Sequence, residues 1–355
     1  MDSLTQAVLG ASVQGVGLGK YQGRKALFYG ALLGTLPDLD VLIHYADPIS
    51  RMTYHRGFSH SLLVLPVFAL ILAWLIKKIG KNNAYSFSRL YATLCLALIT
   101  HPLLDAFTVY GTQLFWPFTP IPQQWSGVFI IDPLYTLPLL FAVLWMLIKG
   151  ATQQTQRILA LSLLWSCLYL AWGTYGQYHH QQRVQAALAS QGIVVQRIMA
   201  TPMPLNTLLF RVVAETDNDE YIDAVSGWFD TEPPEFIRLP QGLHWKNHLQ
   251  NNFLFQRLNW FTDGWLAIDN INKQLVVTDL RMGVPGNHNF RFIVAEQDVN
   301  GQWHNIEPQR SRQAINGNTT GLLAKMWHRI WHSLPPLPLA QWQQNADTAK
   351  SDKPQ

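Results

Sequence analysis

The chain has 355 residues, of which 48% are hydrophobic and only 14% charged, well below the quarter usual for a soluble globular protein. Its net charge of +4 comes from short basic clusters set between apolar runs. That pattern argues against a nucleic-acid-binding stripe and for a membrane protein. The mean hydropathy of +0.04 averages two unlike parts, an apolar half to about residue 180 and a polar remainder.

In chain order, segments 3–18 and 26–43 come first. They are rich in Gly and Ala, which suits close helix packing in a membrane, and are interrupted by Gln6, Gln14, Asp38 and Asp40. Clearer spans follow at 61–76, 90–107, 134–148 and 157–176. Each holds about 15 to 20 mainly apolar residues, near the length that crosses ~30 Å. Lys20, Arg24 and Lys25, then Lys77, Lys78, Lys81 and Arg89, then Lys149 and Arg157 occupy alternate loops. The positive-inside rule puts these loops in the cytoplasm. The expectation is an α-helical polytopic domain of about six segments with both termini outside, in a bacterial inner membrane. Cys95 and Cys167 lie in apolar runs and read as buried free thiols, and no cleavable signal peptide is evident.

The sixth segment reads as continuing through "QRVQAALASQG", with Gly192 as its stop. Beyond it, "TLLFRVVAE", "KQLVVTDLRMG" and "FRFIVAEQD" are short alternating runs, and Asn300-Gly301 marks a hairpin turn. The predicted organisation is a membrane-embedded domain at 1–180, a helical linker at 181–192 and an antiparallel β-rich, extracytoplasmic domain at 193–310. An amphipathic helical segment at 311–345 and a disordered tail at 346–355 complete it. In the amphipathic segment Leu322, Leu323, Met326, Trp327, Ile330 and Trp331 share one face. Docking on its own domain is preferred there over lying on the bilayer. Trp245, Trp260, Trp265 and Trp303 read as core or rim aromatics.

Polar groups interrupt the apolar half at "LPDLD", "HRGFSHS" and "HPLLD". The topology brings Asp38, Asp40, His55, His60, His101 and Asp105 to one level near the outer face. His101 and Asp105 are i and i+4, on one helical face. Pro37 with the Asp38–Leu39–Asp40 spacing suits a break, and Gly57 frees the backbone between the two histidines. Imidazole and carboxylate donors suit a divalent metal, Zn²⁺ first and Mn²⁺ or Fe as alternatives. Asp38 and Asp105 are candidates for catalysis as well as for metal binding, and Arg56 for holding an anion. Asp2 reads as a helix N-cap, and His44, His179 and His180 as ordinary interfacial residues.

"MDSLTQAVLGA", "GALLGTLPDLDVL", "HRGFSHSLL", "HPLLDAFTVYGTQLFWPF" and "IDPLYT" together resemble the YdjM/YbcI-like membrane-bound metal-dependent hydrolases of bacteria and archaea, over residues 1–135. The resemblance implies a helical membrane protein with a divalent-metal site and hydrolase activity. It carries Asp38, Asp40, His55, His60, His101 and Asp105 as the metal-site residues. Where many members have a histidine, this chain has Gln6. The leading reading is a metal-dependent hydrolase acting on a lipid or phosphoester substrate, with membrane lipids and no nucleic acid as partners. The alternatives are a non-enzymatic assembly or regulatory protein and a His/Asp-based transporter. Polar residues clustered on one side, with almost purely apolar inner halves of segments three, five and six, disfavour a through-path.

Overall fold

A computed structural model describes residues 1–80, 84–311 and 319–341, so Lys81 and the predicted tail at 346–355 lie outside the described residues. The chain divides into two compact units. The first comprises residues 1–44, 54–174 and 204–206, and the second residues 45–53, 175–203 and 207–355.

The first unit is helical. Helix α1 (Ser3–Gln22) is N-capped by Asp2, whose carboxylate accepts from Thr5 N at 3.0 Å. It packs on α2 (Lys25–Thr35) through glycines. A Cβ on Gly10 would stand 2.3 Å from the Gly30 carbonyl oxygen, and one on Gly34 would stand 2.4 Å from the Gln6 carbonyl oxygen. Only hydrogen side chains allow the two backbones to meet so closely. Pro37 then tightens the chain into a 3₁₀ turn at Leu36–Leu42. After the short helix α3 (Pro48–Tyr54), which falls mostly in the second unit, a one-turn 3₁₀ segment at Phe58–His60 leads into α4 (Val64–Gly80).

Helices α5 (Phe87–Ala106), α6 (Pro133–Lys149) and α7 (Gln153–Ser190) complete the helical set. Asp132 opens α6 by accepting from Leu134 N and Tyr135 N, and it also takes the Tyr169 hydroxyl at 2.9 Å. That explains the "IDPLYT" motif as a cap and a tie to α7. Leu18, Leu90, Leu94 and Leu98 fill one core; Leu27, Tyr135, Leu139, Met146 and Leu159 fill another. The outward faces of α4, α6 and α7 are apolar, with Ile71, Trp74, Phe141, Leu144, Leu161 and Leu168 exposed, as lipid-facing helices require. Both cysteines are free, but Cys167 stands on this outer face instead of in a core.

The expected six segments are not reproduced. Among the described residues, α5 and α7 are long and apolar enough to cross a membrane. A third span arises if Pro48–His60 and Val64–Gly80, bent by 50°, count as one. Helix α2 has 11 residues, about 16 Å at 1.5 Å each, because the Pro37 turn ends it. The 17 residues of α6 fall just short of the same length.

The second unit begins with the end of α7, whose stop is Gly192 at φ +73°. The strands β1 (Val195–Pro202), β2 (Leu209–Thr216), β3 (Glu220–Gly227) and β4 (Glu235–Pro240) form an antiparallel meander. Two short helices, α8 (Lys246–Leu249) and α9 (Phe253–Phe261), precede the second sheet. Its strands are β5 (Leu266–Ile271), β6 (Gln274–Asp279), β9 (Arg291–Gln297) and β10 (Trp303–Arg310), in the order β10-β9-β6-β5. The intervening pair β7 (Gly283–Val284) and β8 (Asn287–His288) forms its own ribbon. The β9–β10 turn holds Gly301 at φ +84°, with Asp298 accepting from Asn300 N and Gln302 N.

Strand β2 is buried along its whole length. Val184 and Leu188 of α7 pack with Phe210, Val212, Ala214, Ile222 and Ala224. Helix α10 (Thr319–Trp331) contributes Met326 and Ile330 to a cluster with Leu209, Val225, Leu337 and Leu339. The single apolar face expected for this segment is thus divided. Met326 and Ile330 are buried, while Leu323, Trp327 and Trp331 are exposed. His180 is no interfacial residue either. It is buried, bonded to the Ser226 hydroxyl at 2.9 Å and stacked on Phe210.

Candidate metal centre

Four side chains converge in the helical unit: Asp38 from the 3₁₀ turn, His60 from the turn before α4, and His101 and Asp105 from α5. The two Nε2 atoms are 3.1 Å apart. His60 Nε2 lies 3.5 Å from Asp38 Oδ1 and 3.3 Å from Asp105 Oδ2. For His101 Nε2 the same distances are 3.4 and 3.6 Å. A tetrahedron of donors bound at ~2.0–2.1 Å has edges of about 3.3–3.4 Å. The five distances straddle that value.

The hydrogen-bond pattern makes the convergence more telling. His101 Nδ1 meets the Gly34 carbonyl oxygen at 2.5 Å. A carbonyl only accepts, so Nδ1 carries a proton and Nε2 is the ring nitrogen turned toward the cluster, the one a metal would use. His60 Nδ1 lies 2.9 Å from the Ser59 hydroxyl, which itself donates to Asp40 Oδ2 at 2.6 Å. The Ser59 proton being spent on Asp40, its oxygen accepts from His60 Nδ1, and His60 Nε2 is the ring nitrogen turned toward the cluster. Asp38 meets the two histidines and no other side-chain donor among the described residues. Asp105 Oδ2 is buried with no hydrogen-bond donor. Two imidazole nitrogens and two carboxylate oxygens therefore face one another at one point, a donor set that a divalent cation would satisfy in place of protons.

The remaining contacts hold this set in place. Gln6 donates from Nε2 to Asp105 Oδ1 at 3.0 Å, while its buried Oε1 has no hydrogen-bond partner among the described residues. The Met1 amino group also touches Asp105 Oδ1. Arg56, in the left-handed region at φ 62°, brings Nε to 3.0 Å from Asp105 Oδ2. Its N–H points off that line, so the contact is an ion pair and not a hydrogen bond. The same guanidinium bonds Thr108 and lies over the Tyr110 ring.

Of the six predicted ligands, then, Asp38, His60, His101 and Asp105 meet. Asp40 and His55 do not join them. Asp40 sits behind His60, accepting from Ser59, from the Arg56 backbone N–H and from His55, whose Nδ1 is 2.7 Å away. Ser59 and the Gly34 carbonyl were missed by sequence reasoning. Ser59 adjoins His60 in "HRGFSHS" and could have been noticed; a backbone carbonyl leaves no side-chain signal.

Apolar helices fit to enter a membrane, wrapped around a buried His/Asp constellation, define the class as a membrane protein with a candidate metal centre. More particularly, the chain belongs to the YdjM inner membrane protein family, which it matches over residues 1–180. Inner membrane protein YbcI of Escherichia coli (strain K12) is 36% identical over 105 residues, 29% of this chain and 58% of that protein. Uncharacterized protein YfhP of Bacillus subtilis (strain 168) is 26% identical over 139 residues, 37% of this chain and 41% of its own length. The chain thus spans about half the length of the curated relatives it matches. No solved structure matches it.

Proposed function

We propose that the protein is a membrane-bound metal-dependent hydrolase whose substrate is a lipid or lipid-linked phosphoester. The observation that carries the reading is the convergence of His60 Nε2, His101 Nε2, Asp38 Oδ1 and Asp105 Oδ2, with five of their mutual distances at 3.1–3.6 Å. These four would hold a divalent metal, with Zn²⁺ favoured by two imidazoles and Mn²⁺ or Fe next. When bound, the metal supplies Lewis acidity toward the scissile group and toward water.

The chain's own groups supply the rest. Asp38, the one member of the set with appreciable exposure at 25%, is free to take a proton from attacking water at its outer oxygen. Asp105 is committed to Gln6 and Arg56, so it stays ionised and fixed. Asp40 and Ser59 orient the His60 ring. Arg56 balances the Asp105 charge, and an anionic substrate group is its second partner. His60, His101 and Asp105 lie at the opposite ends of α4 and α5 from Lys77, Lys78 and Arg89, so a cytoplasmic location of those cations by the positive-inside rule would leave the centre toward the outer side. At that level lipid headgroups carry the phosphoesters.

The test is elemental analysis and phosphodiesterase assay of the purified protein beside His60→Ala. The expected result is one or two equivalents of transition metal in the parent, with metal and activity lost together in the variant. A metal-free parent, or a fully active His60→Ala protein, rejects the proposal.

A further inference from the structure

At the end of the helical unit that carries its basic clusters, Lys20, Arg24, Lys25, Lys77, Lys78, Arg89, Lys149 and Arg157 have no Asp or Glu close by in sequence. Indeed, residues 61–104 and 133–214 contain no acidic residue at all. Such an excess repels itself unless anions attend it. Some of these cations are occupied internally. Arg24 gives Nε and Nη2 to the carbonyl oxygens of Leu147 and Ile148, capping α6.

Arg89 is different. Its guanidinium lies over the Tyr21 ring at 5.5 Å and meets no acceptor among the described residues. It stands beside a groove of about 720 Å³, bounded by Tyr21, Lys77, Tyr85, Ser86, Phe87 and Arg89. Lys77 donates to the Tyr85 carbonyl oxygen and extends over the Tyr85 ring at 4.7 Å, with its charge still on the groove, and Tyr85 meets Tyr21 edge to face at 5.7 Å. The two aromatic rings thus hold two cations on one groove. The start of α5, capped by Ser86, adds the positive end of a 20-residue helix.

We infer that this groove binds the headgroup of an anionic phospholipid. A phosphodiester matches the cation pair, and the groove's surroundings select a lipid over a free anion. Leu70, Ile71, Trp74, Leu75 and Ile79 present an exposed apolar face on α4 immediately before Lys77, and Phe87 is exposed at the rim. Acyl chains lie on that face while the phosphate reaches Arg89 and Lys77. Lys78, over the Trp74 ring at 4.6 Å, supports the same headgroup level. The inference is independent of the metal centre.

The experiment is a lipid titration of the purified full-length protein, read by native mass spectrometry. Dioleoylphosphatidylglycerol is the probe and dioleoylphosphatidylcholine the control. Phosphatidylglycerol is expected to saturate one preferred site, and the double variant Arg89→Gln, Lys77→Gln to weaken it roughly tenfold. The conservative Arg89→Lys is expected to retain most of the affinity, which shows that the fold survives change at this position. Lys25→Gln removes one exposed charge at the start of α2, outside the groove, and is expected to change affinity by less than about twofold. Equal binding of phosphatidylcholine overturns the inference. So does Lys25→Gln weakening binding as much as the double variant, since the attraction is then diffuse. Displacement of the lipid by millimolar inorganic phosphate overturns it in favour of a free-anion site.

Discussion

In the β unit, buried Asp223 takes Arg211 Nε on both oxygens, at 3.1 and 2.9 Å, and Asp279 takes Arg281 Nε and Nη2 at 2.9 and 2.7 Å. Asp230 is likewise gripped by Arg329. In the helical unit, Asp38 and Asp105 instead face imidazole nitrogens at 3.3–3.6 Å with no hydrogen bond along those lines. Burying a carboxylate is costly in either place. Bidentate guanidinium pairing offsets the cost within the fold, and such aspartates serve structure. Asp38 and Asp105 instead share imidazole partners, with Arg56 and Gln6 also on Asp105, a mixed set that a metal ion would be able to join. The two solutions, both found in one chain, distinguish guanidinium-paired acids from those of the candidate metal centre better than burial does.

That contrast can be broken most strongly at Asp223. Asp223→Ala leaves Arg211 buried and unpaired, and is expected to destabilise the β unit by about 3–5 kcal/mol in denaturant unfolding. Replacing both partners, Arg211→Met with Asp223→Leu, is expected to restore most of that stability. If the double replacement is as damaging as the single one, the pair is more than structural.

Next in size is the helix contact that holds the centre. Gly34→Ala drives a methyl to 2.4 Å from the Gln6 carbonyl oxygen, so α2 must shift and carry the His101 acceptor with it. A loss of about 1–3 kcal/mol is expected in thermal unfolding, accompanied by weaker metal retention. Unchanged metal content would detach the glycine packing from the site.

Ser59→Ala removes the bridge between Asp40 and His60 without touching the four converging atoms. Metal affinity is expected to fall roughly 10- to 100-fold by competition with a chelator. No change would mean that the His60 ring is oriented by packing alone.

The smallest effect is a pH dependence in the β unit. Burial, with Arg211 and Arg291 adding to it, holds the His288 imidazole neutral well below its ordinary range. The unfolded chain binds a proton as the pH falls through about 6.5, and the folded unit does not. Stability is therefore fully present above that pH and declines by about 1.4 kcal/mol per pH unit below it. His288→Gln is expected to flatten the decline between pH 6.5 and 5; an identical slope would assign it to other groups.

Much of this molecule is legible along the chain. Apolar runs, the Gly192 stop and the Asn300-Gly301 turn are local signals, because a few neighbouring residues decide them. The polar motifs also marked the right neighbourhood, since a histidine or aspartate in an apolar segment is too costly to be incidental. Helix count was less legible. Sequence hydropathy does not register that Pro37 ends α2 after 11 residues.

The choice among the six candidate ligands belonged to the tertiary structure. Asp38 and Asp40 look equivalent in "LPDLD", yet a 3₁₀ turn of three residues per revolution points residues two apart in different directions. Asp38 thus joins the histidines while Asp40 turns to Ser59 and His55. Likewise, the tautomer of His101 depends on a carbonyl 67 positions away, brought near by two glycines on facing helices. Composition and periodicity determined that a polar site exists within an apolar bundle. Which lone pairs meet there is a matter of long-range packing, and no local pattern encodes it.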